Sequence, residues 1–173
     1  MKKIFAICGS TKAASTNLLY IAAIAQLLGA EYEVTTLNAI ADLPHFNPDI
    51  DTAQPPQIIE QLRKNISEAD GILISTPEYA MGLPGSLKNV LDWVVSSSSF
   101  SKKPVLAVVA SSLGEKAYQS LIDVLTVIEA EVYALLIPYA QTKINSEATI
   151  TDTETLSALK RTLSQFVAGI SNG

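Results

Sequence analysis

The chain has 173 residues, of which 48% are hydrophobic and 17% are charged. A chain of this length commonly holds one hydrophobic core, and no stretch combines high charge with few hydrophobic residues, so the composition predicts one globular domain over residues 1–173 rather than a disordered protein. The formal net charge of -5 repels a phosphate backbone, and the Lys and Arg residues form no basic stripe, which argues against a nucleic-acid partner.

The start of the chain and the cysteine content bear on its location. The apolar run from Ile4 to Cys8 is shorter than the roughly 7 to 15 apolar residues of a secretory signal and the roughly 20 of a membrane span. Cys8 is the single cysteine, so it has no partner for an intramolecular disulfide or for a CxxC site. We therefore expect a cytoplasmic protein that does not enter a membrane.

Apolar runs alternate along the chain with longer amphipathic segments. The runs have strand length and are rich in Val and Ile, whereas the segments between them carry an apolar residue every three or four positions, as amphipathic helices do. Several runs are apolar nearly throughout, which is typical of parallel strands buried on both faces. The predicted strands cover residues 3–8, 33–37, 71–75, 105–110 and 132–137, and the helical stripes begin at Leu18, Ile59, Leu87, Leu121 and Leu156.

Five such units predict an α/β fold. Right-handed crossovers between parallel strands place helices on both faces of the sheet, which gives a three-layer α/β/α sandwich. Five units in a chain of this length suit the five-stranded parallel sheet of order 2-1-3-4-5, the flavodoxin-like order, better than the six-stranded Rossmann order. The Pro-rich segment 44–56 and the Ser-rich segment 96–101 are predicted as loops inside this domain rather than as linkers.

A loop rich in hydroxyl groups, residues 9–17, follows the first predicted strand, and helix 1 is expected to begin near Thr16. The free N–H groups of a first helical turn attract anions, and side chains of this loop add donors, so a phosphate monoester fits it. With one glycine, the loop is neither a Walker A loop nor GxGxxG. An ordinary helix cap beside a solvated lysine is the alternative. The candidate donors are Ser10, Thr11, Lys12, Ser15, Thr16 and Asn17.

The loop after the third predicted strand, residues 77–85, contains two prolines and two glycines, which specify a fixed and non-repeating backbone. Tyr79, Met81 and Leu83 offer a surface on which a planar, mostly apolar ring such as a flavin can lie. In the order 2-1-3-4-5, the loops after strands 1 and 3 flank the point at which such sheets bind ligands. A structural turn that covers the edge of the core is the alternative.

The segments GSTKAASTN (9–17) and PEYAMGLPGSLKNVLDW (77–93) resemble the NAD(P)H-dependent FMN reductase family, which includes quinone, azo-compound and chromate reductases. The resemblance covers almost the whole chain and implies a flavodoxin-like fold, noncovalent FMN and a homodimer or homotetramer with the flavin near a subunit interface. It also implies an activity. NADPH or NADH would give hydride to FMN, and the electrons would pass to a quinone or a similar small acceptor, such as free flavin, an azo compound or a metal oxyanion. Since the flavin carries this chemistry, no catalytic side chain is expected.

The resemblance also assigns residue roles. Ser10, Lys12, Ser15, Thr16 and Asn17 would hold the FMN phosphate, Pro77, Glu78, Tyr79, Ala80 and Met81 would line the isoalloxazine and ribityl groups mostly through backbone atoms, and the loop from Ser111 to Gly114 would close the other side of the ring. Three features depart from the family pattern. Lys12 stands where Arg is frequent, Ala80 stands where Asn or His is common, and the loop from Ser111 to Gly114 has less glycine than usual.

Other functions on the same or another fold find less support. A flavodoxin-type FMN electron carrier without nicotinamide reductase activity is the main alternative, but its phosphate loop normally reads Thr/Ser-x-Thr-Gly-x-Thr. A phospho-receiver needs an acceptor Asp at the end of strand 3, where this chain has Thr76. A hydrolase would need His45, the single histidine, and there is no GxSxG turn. We expect His45 in a loop, Cys8 buried in a strand, and no metal site.

Trp93 in the third helix has two interpretations. On the exposed side of the helix, next to Val94 and Val95, it would indicate a subunit interface. As a partly buried core residue it would indicate only packing, and this alternative is the commoner situation for tryptophan.

Overall fold

The computed structural model describes residues 1–37 and 40–172. Strands and helices alternate through these residues. One short 3-10 helix lies in the loop after the second strand, and another lies in the loop after the fifth strand. In chain order the main elements are β1 (Lys2–Cys8), α1 (Thr16–Leu28), β2 (Tyr32–Thr36), α2 (Gln57–Glu68), β3 (Gly71–Thr76), α3 (Gly85–Val94), β4 (Pro104–Ala110), α4 (Glu115–Val127), β5 (Glu131–Ile137) and α5 (Thr153–Asn172).

All strand pairs are parallel, and the sheet has the order β2-β1-β3-β4-β5, which confirms the predicted flavodoxin-like topology. Every residue of β3 and β4 is buried, as expected for central strands covered on both faces. The predicted strands agree with the observed ones to within a residue or two. Leu37, predicted as the last residue of the second strand, lies just beyond β2.

The side chains of each strand divide the core into two layers because successive residues point to opposite faces of the sheet. Phe5 and Ile7 of β1 pack in the layer beneath α2, α3 and α4, whereas Ile4 and Ala6 pack in the layer beneath α1 and α5. The helical stripes predicted from the sequence supply most of the other half of each layer, although α1 buries Tyr20, Ile21, Ala23 and Ile24 and leaves Ala22 of its predicted stripe exposed. The three-layer α/β/α prediction is therefore confirmed.

The position of Trp93 corrects one expectation. Its side chain is fully buried, its ring makes an edge contact with Phe46 at a centroid distance of 5.1 Å, and its Nε1 donates a hydrogen bond to the carbonyl oxygen of Pro44 at 2.7 Å. The idea that Trp93 is exposed at a subunit interface is wrong, and the core alternative is confirmed. The loop before α2, which the stripe of α3 could not reveal, covers the ring.

A two-residue hairpin interrupts the chain between β3 and α3. The N–H of Tyr79 donates to the carbonyl of Gly82 at 3.0 Å, and the N–H of Gly82 donates back to the carbonyl of Tyr79 at 3.1 Å. Between them, Ala80 has φ 48° and Met81 has φ 64°. Two central residues with positive φ define a type I′ turn, for which Asn-Gly is the favoured pair. Ala80 and Met81 are therefore strained at these positions.

Ala80→Asn tests this strain. Asn tolerates the left-handed region better than Ala does, so we expect the variant to unfold with a free energy about 0.5–1 kcal/mol higher than that of the parent chain. Chemical denaturation of the ligand-free protein measures the difference. Ala53→Asn is the matched control, because Ala53 is also exposed in a loop but does not have positive φ. An equal gain in both variants, or none in Ala80→Asn, would contradict the strain.

Candidate flavin site

A cleft of about 380 Å³ opens where β1, β3, β4 and β5 end. Because all strands run parallel, the four loops that follow them reach the same edge of the sheet. The lining residues come from each of these loops and from the first turn of α1. They are Ser10, Lys12, Ala14, Ser15, Thr16, Asn17, Pro77, Glu78, Tyr79, Ala110, Ser111, Ser112, Tyr139, Ala140, Gln141 and Thr142.

The cleft brings together most of the predicted site residues. The lining includes Ser10, Lys12, Ser15, Thr16, Asn17, Pro77, Glu78, Tyr79 and Ser111. Four predicted residues do not line it: Thr11, Ala80, Met81 and Gly114. Ala80 and Met81 form the exposed tip of the hairpin, and Leu83 packs on the core, so of the three residues predicted to carry the ring only Tyr79 faces the cleft.

Gly9 lets the first loop leave β1 close to β3. Its N–H donates to the carbonyl of Ser75 at 2.8 Å, and a Cβ atom added at Gly9 would lie 2.1 Å from Oγ1 of Thr76. A side chain at this position would therefore displace the end of β3. The single glycine of the loop is required for this close approach.

The first turn of α1 forms one wall of the cleft. Ser15 is the N-cap, and its Oγ accepts a hydrogen bond from the N–H of Asn17 at 3.2 Å. The cap interpretation is thus confirmed for Ser15, which lines the cleft as well. Since a helix N-terminus carries a partial positive charge, this wall is suited to an anion.

Asn17 is buried and joins three elements at the floor of the cleft. Its Oδ1 accepts a hydrogen bond from Oγ of Ser75 at 2.9 Å, and its Nδ2 donates to the carbonyl of Ala110 at 3.2 Å. These bonds fix α1 against the ends of β3 and β4. The side chain predicted to contact a phosphate therefore also holds the framework of the site.

The loop after β1 and the loop after β3 are in direct contact. Oγ of Ser10 lies 3.1 Å from Oη of Tyr79 and accepts a hydrogen bond from the N–H of Lys12 at 3.3 Å. Tyr79 is about half exposed, so one part of its ring contacts the first loop while the rest faces the cleft. This contact fulfils the expectation that the two unusual loops meet at one edge of the sheet.

The loop after β5, which the sequence analysis did not identify, forms the remaining wall. Tyr139 has φ 53° and a side chain that is 62% exposed, although its N–H is fixed on the carbonyl of Ser112 at 3.0 Å. The next residue, Ala140, donates to the carbonyl of Ser111 and accepts a hydrogen bond from Oη of Tyr20 at 3.0 Å. The parallel topology was the signal that could have revealed this loop, because β5 ends at the same edge.

Two residues weighed as catalytic candidates, Cys8 and His45, do not line the cleft. Cys8 is buried at the end of β1, and this burial raises the pKa of its thiol above the ordinary value. The thiol is therefore protonated at neutral pH and is a poor nucleophile. His45 is exposed in the loop before α2. Within residues 1–37 and 40–172 no three His, Cys, Asp or Glu side chains form a cluster suited to a metal ion.

Burial also shifts the pKa of Tyr20, which lies behind the loop after β5. It raises the pKa of this phenol to about 12, with a smaller contribution from the negative charge of Asp152. The hydroxyl therefore stays protonated through the physiological range and keeps its hydrogen bond to Ala140. The hydrogen bond that Tyr20 makes to the loop after β5 is therefore insensitive to pH in this range.

Comparison with known proteins identifies the family. The model for NADPH-dependent FMN reductase matches residues 2–143. The quinone reductase of Escherichia coli strain K12 is 34% identical over 115 residues, which cover 65% of this chain and 61% of that protein. The 2-hydroxy-1,4-benzoquinone reductase of a Burkholderia species is 27% identical over 180 residues, which cover 97% of this chain and 96% of that protein.

Solved structures agree with this assignment. The flavoenzyme NAD(P)H:(acceptor) oxidoreductase FerB of Paracoccus denitrificans superposes with a TM-score of 0.83 at 26% identity, covering 99% of this chain and 98% of that one. Among the described residues, no helix has the length and apolar character needed to cross a membrane. The match over residues 2–143 shows that the chain belongs to the NADPH-dependent FMN reductase family.

Proposed function

We propose that this protein is an NAD(P)H-dependent oxidoreductase that binds FMN in the cleft and passes electrons to a quinone or a similar small acceptor. The observation that carries the proposal is the meeting of a helix N-terminus and a rigid hairpin at the end of a 2-1-3-4-5 sheet. The full-length similarity to a 2-hydroxy-1,4-benzoquinone reductase supports the quinone as acceptor. Free flavin, azo compounds and metal oxyanions are further acceptors to test.

The residues of the cleft fit FMN in size and in chemistry. The volume of the cleft, about 380 Å³, falls within the range of roughly 300–1,000 Å³ usual for small-molecule sites. The phosphate would lie at the wall formed by the first loop and the first turn of α1, where Ser10, Ser15 and Thr16 carry hydroxyl groups and Lys12 carries a positive charge. Lys12 gives a point charge instead of the planar fork of Arg.

The opposite part of the cleft suits the flavin ring. Residues 77–79 and 110–112 bring backbone groups and few ionisable side chains to the cleft, so hydrogen bonds to the polar edge of a flavin would come mainly from N–H and C=O groups. When bound, FMN supplies the hydride-accepting chemistry. The task of the chain is to orient the ring, exclude water and leave one face open to the nicotinamide and the acceptor.

A flavodoxin-type electron carrier remains the competing function, because it would bind FMN in the same fold. Membership of the reductase family favours the enzyme. The dimer or tetramer implied by that family and a cytoplasmic location are part of the proposal. Exposed apolar side chains beside the cleft, Met81, Leu113 and Tyr139, are compatible with association of subunits at this edge.

The first test is an anaerobic titration of the purified chain. We expect added FMN to bind with a Kd at or below about micromolar, since about thirty heavy atoms at about 0.3 kcal/mol each give about 9 kcal/mol. We then expect NADPH or NADH to bleach the flavin absorption band, and a quinone to restore it. Absorption spectroscopy follows all three steps.

Other results would change the assignment in defined ways. FMN binding without bleaching by either nicotinamide would favour the electron carrier and direct attention to Ala80 and the loop from Ser111 to Gly114. A chain that binds no flavin would contradict the proposed function as a whole.

The role of Lys12 has its own test. If Lys12 makes a charge-assisted hydrogen bond to the phosphate, Lys12→Ala should cost about 1.5–3 kcal/mol, which is a roughly 10- to 150-fold rise in the Kd for FMN. Lys160→Ala is the matched control, because Lys160 lies on α5 beside the C-terminal end of α1 and away from the cleft. Equal affinities of the parent and the Lys12→Ala variant would remove Lys12 from the site.

A further inference from the structure

Glu78 lines the cleft, and its carboxylate is bound at the first turn of α4. Its Oε2 accepts hydrogen bonds from the N–H of Lys116 at 2.8 Å and from the N–H of Ala117 at 2.9 Å. Both N–H groups belong to the first turn of α4, where a helix has no carbonyl partners of its own. Glu78, a residue of the β3–α3 loop, thus supplies the cap of a distant helix.

The helix cannot supply this cap itself. Its N-cap is Gly114, which has φ 97° and makes no side-chain hydrogen bond. A Cβ atom at Gly114 would lie 2.9 Å from Cδ1 of Leu136 and 3.0 Å from Cγ1 of Val109. The positive φ of Gly114 and the close packing of the loop against β4 and β5 therefore disfavour the Ser, Thr, Asp or Asn that usually occupies this position.

The backbone of Glu78 is attached to the same loop. Its N–H donates to Oγ of Ser111 at 3.1 Å, and the N–H of Ser111 donates to the carbonyl of Ile137 at 3.2 Å. Glu78 therefore binds Ser111 of the β4–α4 loop through its N–H group and the first turn of α4 through its carboxylate. Because the next residue, Tyr79, contacts Ser10, the segment 78–79 connects the loop after β1 to the opposite wall of the cleft.

We propose that Glu78 is a positioning residue that sets the spacing between the β3–α3 hairpin and the β4–α4 loop, the two walls between which the flavin ring would bind. The occupant of the cleft rests on the proposed function, whereas the bridge itself belongs to the ligand-free protein. The carboxylate acts through its reach across to α4.

Reach and charge can be separated by substitution. Glu78→Gln keeps the length of the side chain and an acceptor oxygen but removes the charge, whereas Glu78→Asp keeps the charge and shortens the side chain by one methylene. Glu78→Ala removes both. Glu115→Ala is the matched control, because Glu115 also places a negative charge in the first turn of α4 but does not belong to the hairpin.

Two measurements test the bridge. In the ligand-free protein, amide hydrogen exchange at Lys116 and Ala117 should be at least tenfold faster in Glu78→Ala and Glu78→Asp than in the parent, and within about threefold of the parent in Glu78→Gln. The Kd for FMN should follow the same order, with a rise of tenfold or more for Asp and Ala and about threefold or less for Gln. Glu115→Ala should leave both quantities within about twofold.

The outcomes separate the proposal from its alternatives. Lower thermal stability with an unchanged Kd for FMN would show a merely structural cap and overturn the positioning role. A Glu78→Asp variant that matches the parent while Glu78→Gln resembles Ala would show that charge acts instead of reach, and would overturn it as well. If Glu78→Ala does not fold, the comparison of Gln with Asp still decides. If the parent itself binds no FMN, the proposed function fails, while the exchange rates still report on the bridge.

Discussion

The parallel direction of the five strands is the constraint on which the site depends. All strands end at one edge of the sheet, and the order β2-β1-β3-β4-β5 sends the chain from β1 to α1 on one face and from β3 to α3 on the other. The two connections diverge, and a crevice must open between them. Residues that are far apart in the sequence therefore come together at this crevice, although no pattern in the sequence links them directly.

Hydrogen bonds between loops convert this crevice into a defined cleft. Asn17 joins α1 to the ends of β3 and β4, Tyr79 contacts Ser10, and Glu78 binds both Ser111 and the first turn of α4. These bonds tie α1, the β3–α3 loop and the start of α4 to one another, which restrains their relative positions. A ligand that enters such a preorganised cleft loses less free energy to the ordering of its surroundings than one that must arrange flexible loops.

The sequence predicted the fold well because the relevant signal is periodic and local. Apolar runs place the strands to within a residue or two, helical stripes indicate where each helix lies without fixing its first residue, and two unusual loops indicate the site. The errors concern contacts between elements. The stripe of α3 does not show that Phe46 covers Trp93, and the residues Ala80 and Met81 do not reveal a type I′ turn, because that turn normally contains Asn and Gly. The loop at Tyr139 has no distinctive composition and was missed.

The placement of charge around the cleft connects these observations to anion binding. In the part of the chain that the structure describes, the charged residues that line the cleft are Lys12 and Glu78. A free carboxylate there would repel a phosphate or a reduced, negatively charged flavin. Because Oε2 of Glu78 is bound by two N–H groups of α4, its charge is directed to the helix terminus, which stabilises it. One glutamate thus contacts two walls of the cleft, and its negative charge is compensated by the N–H groups at the start of α4.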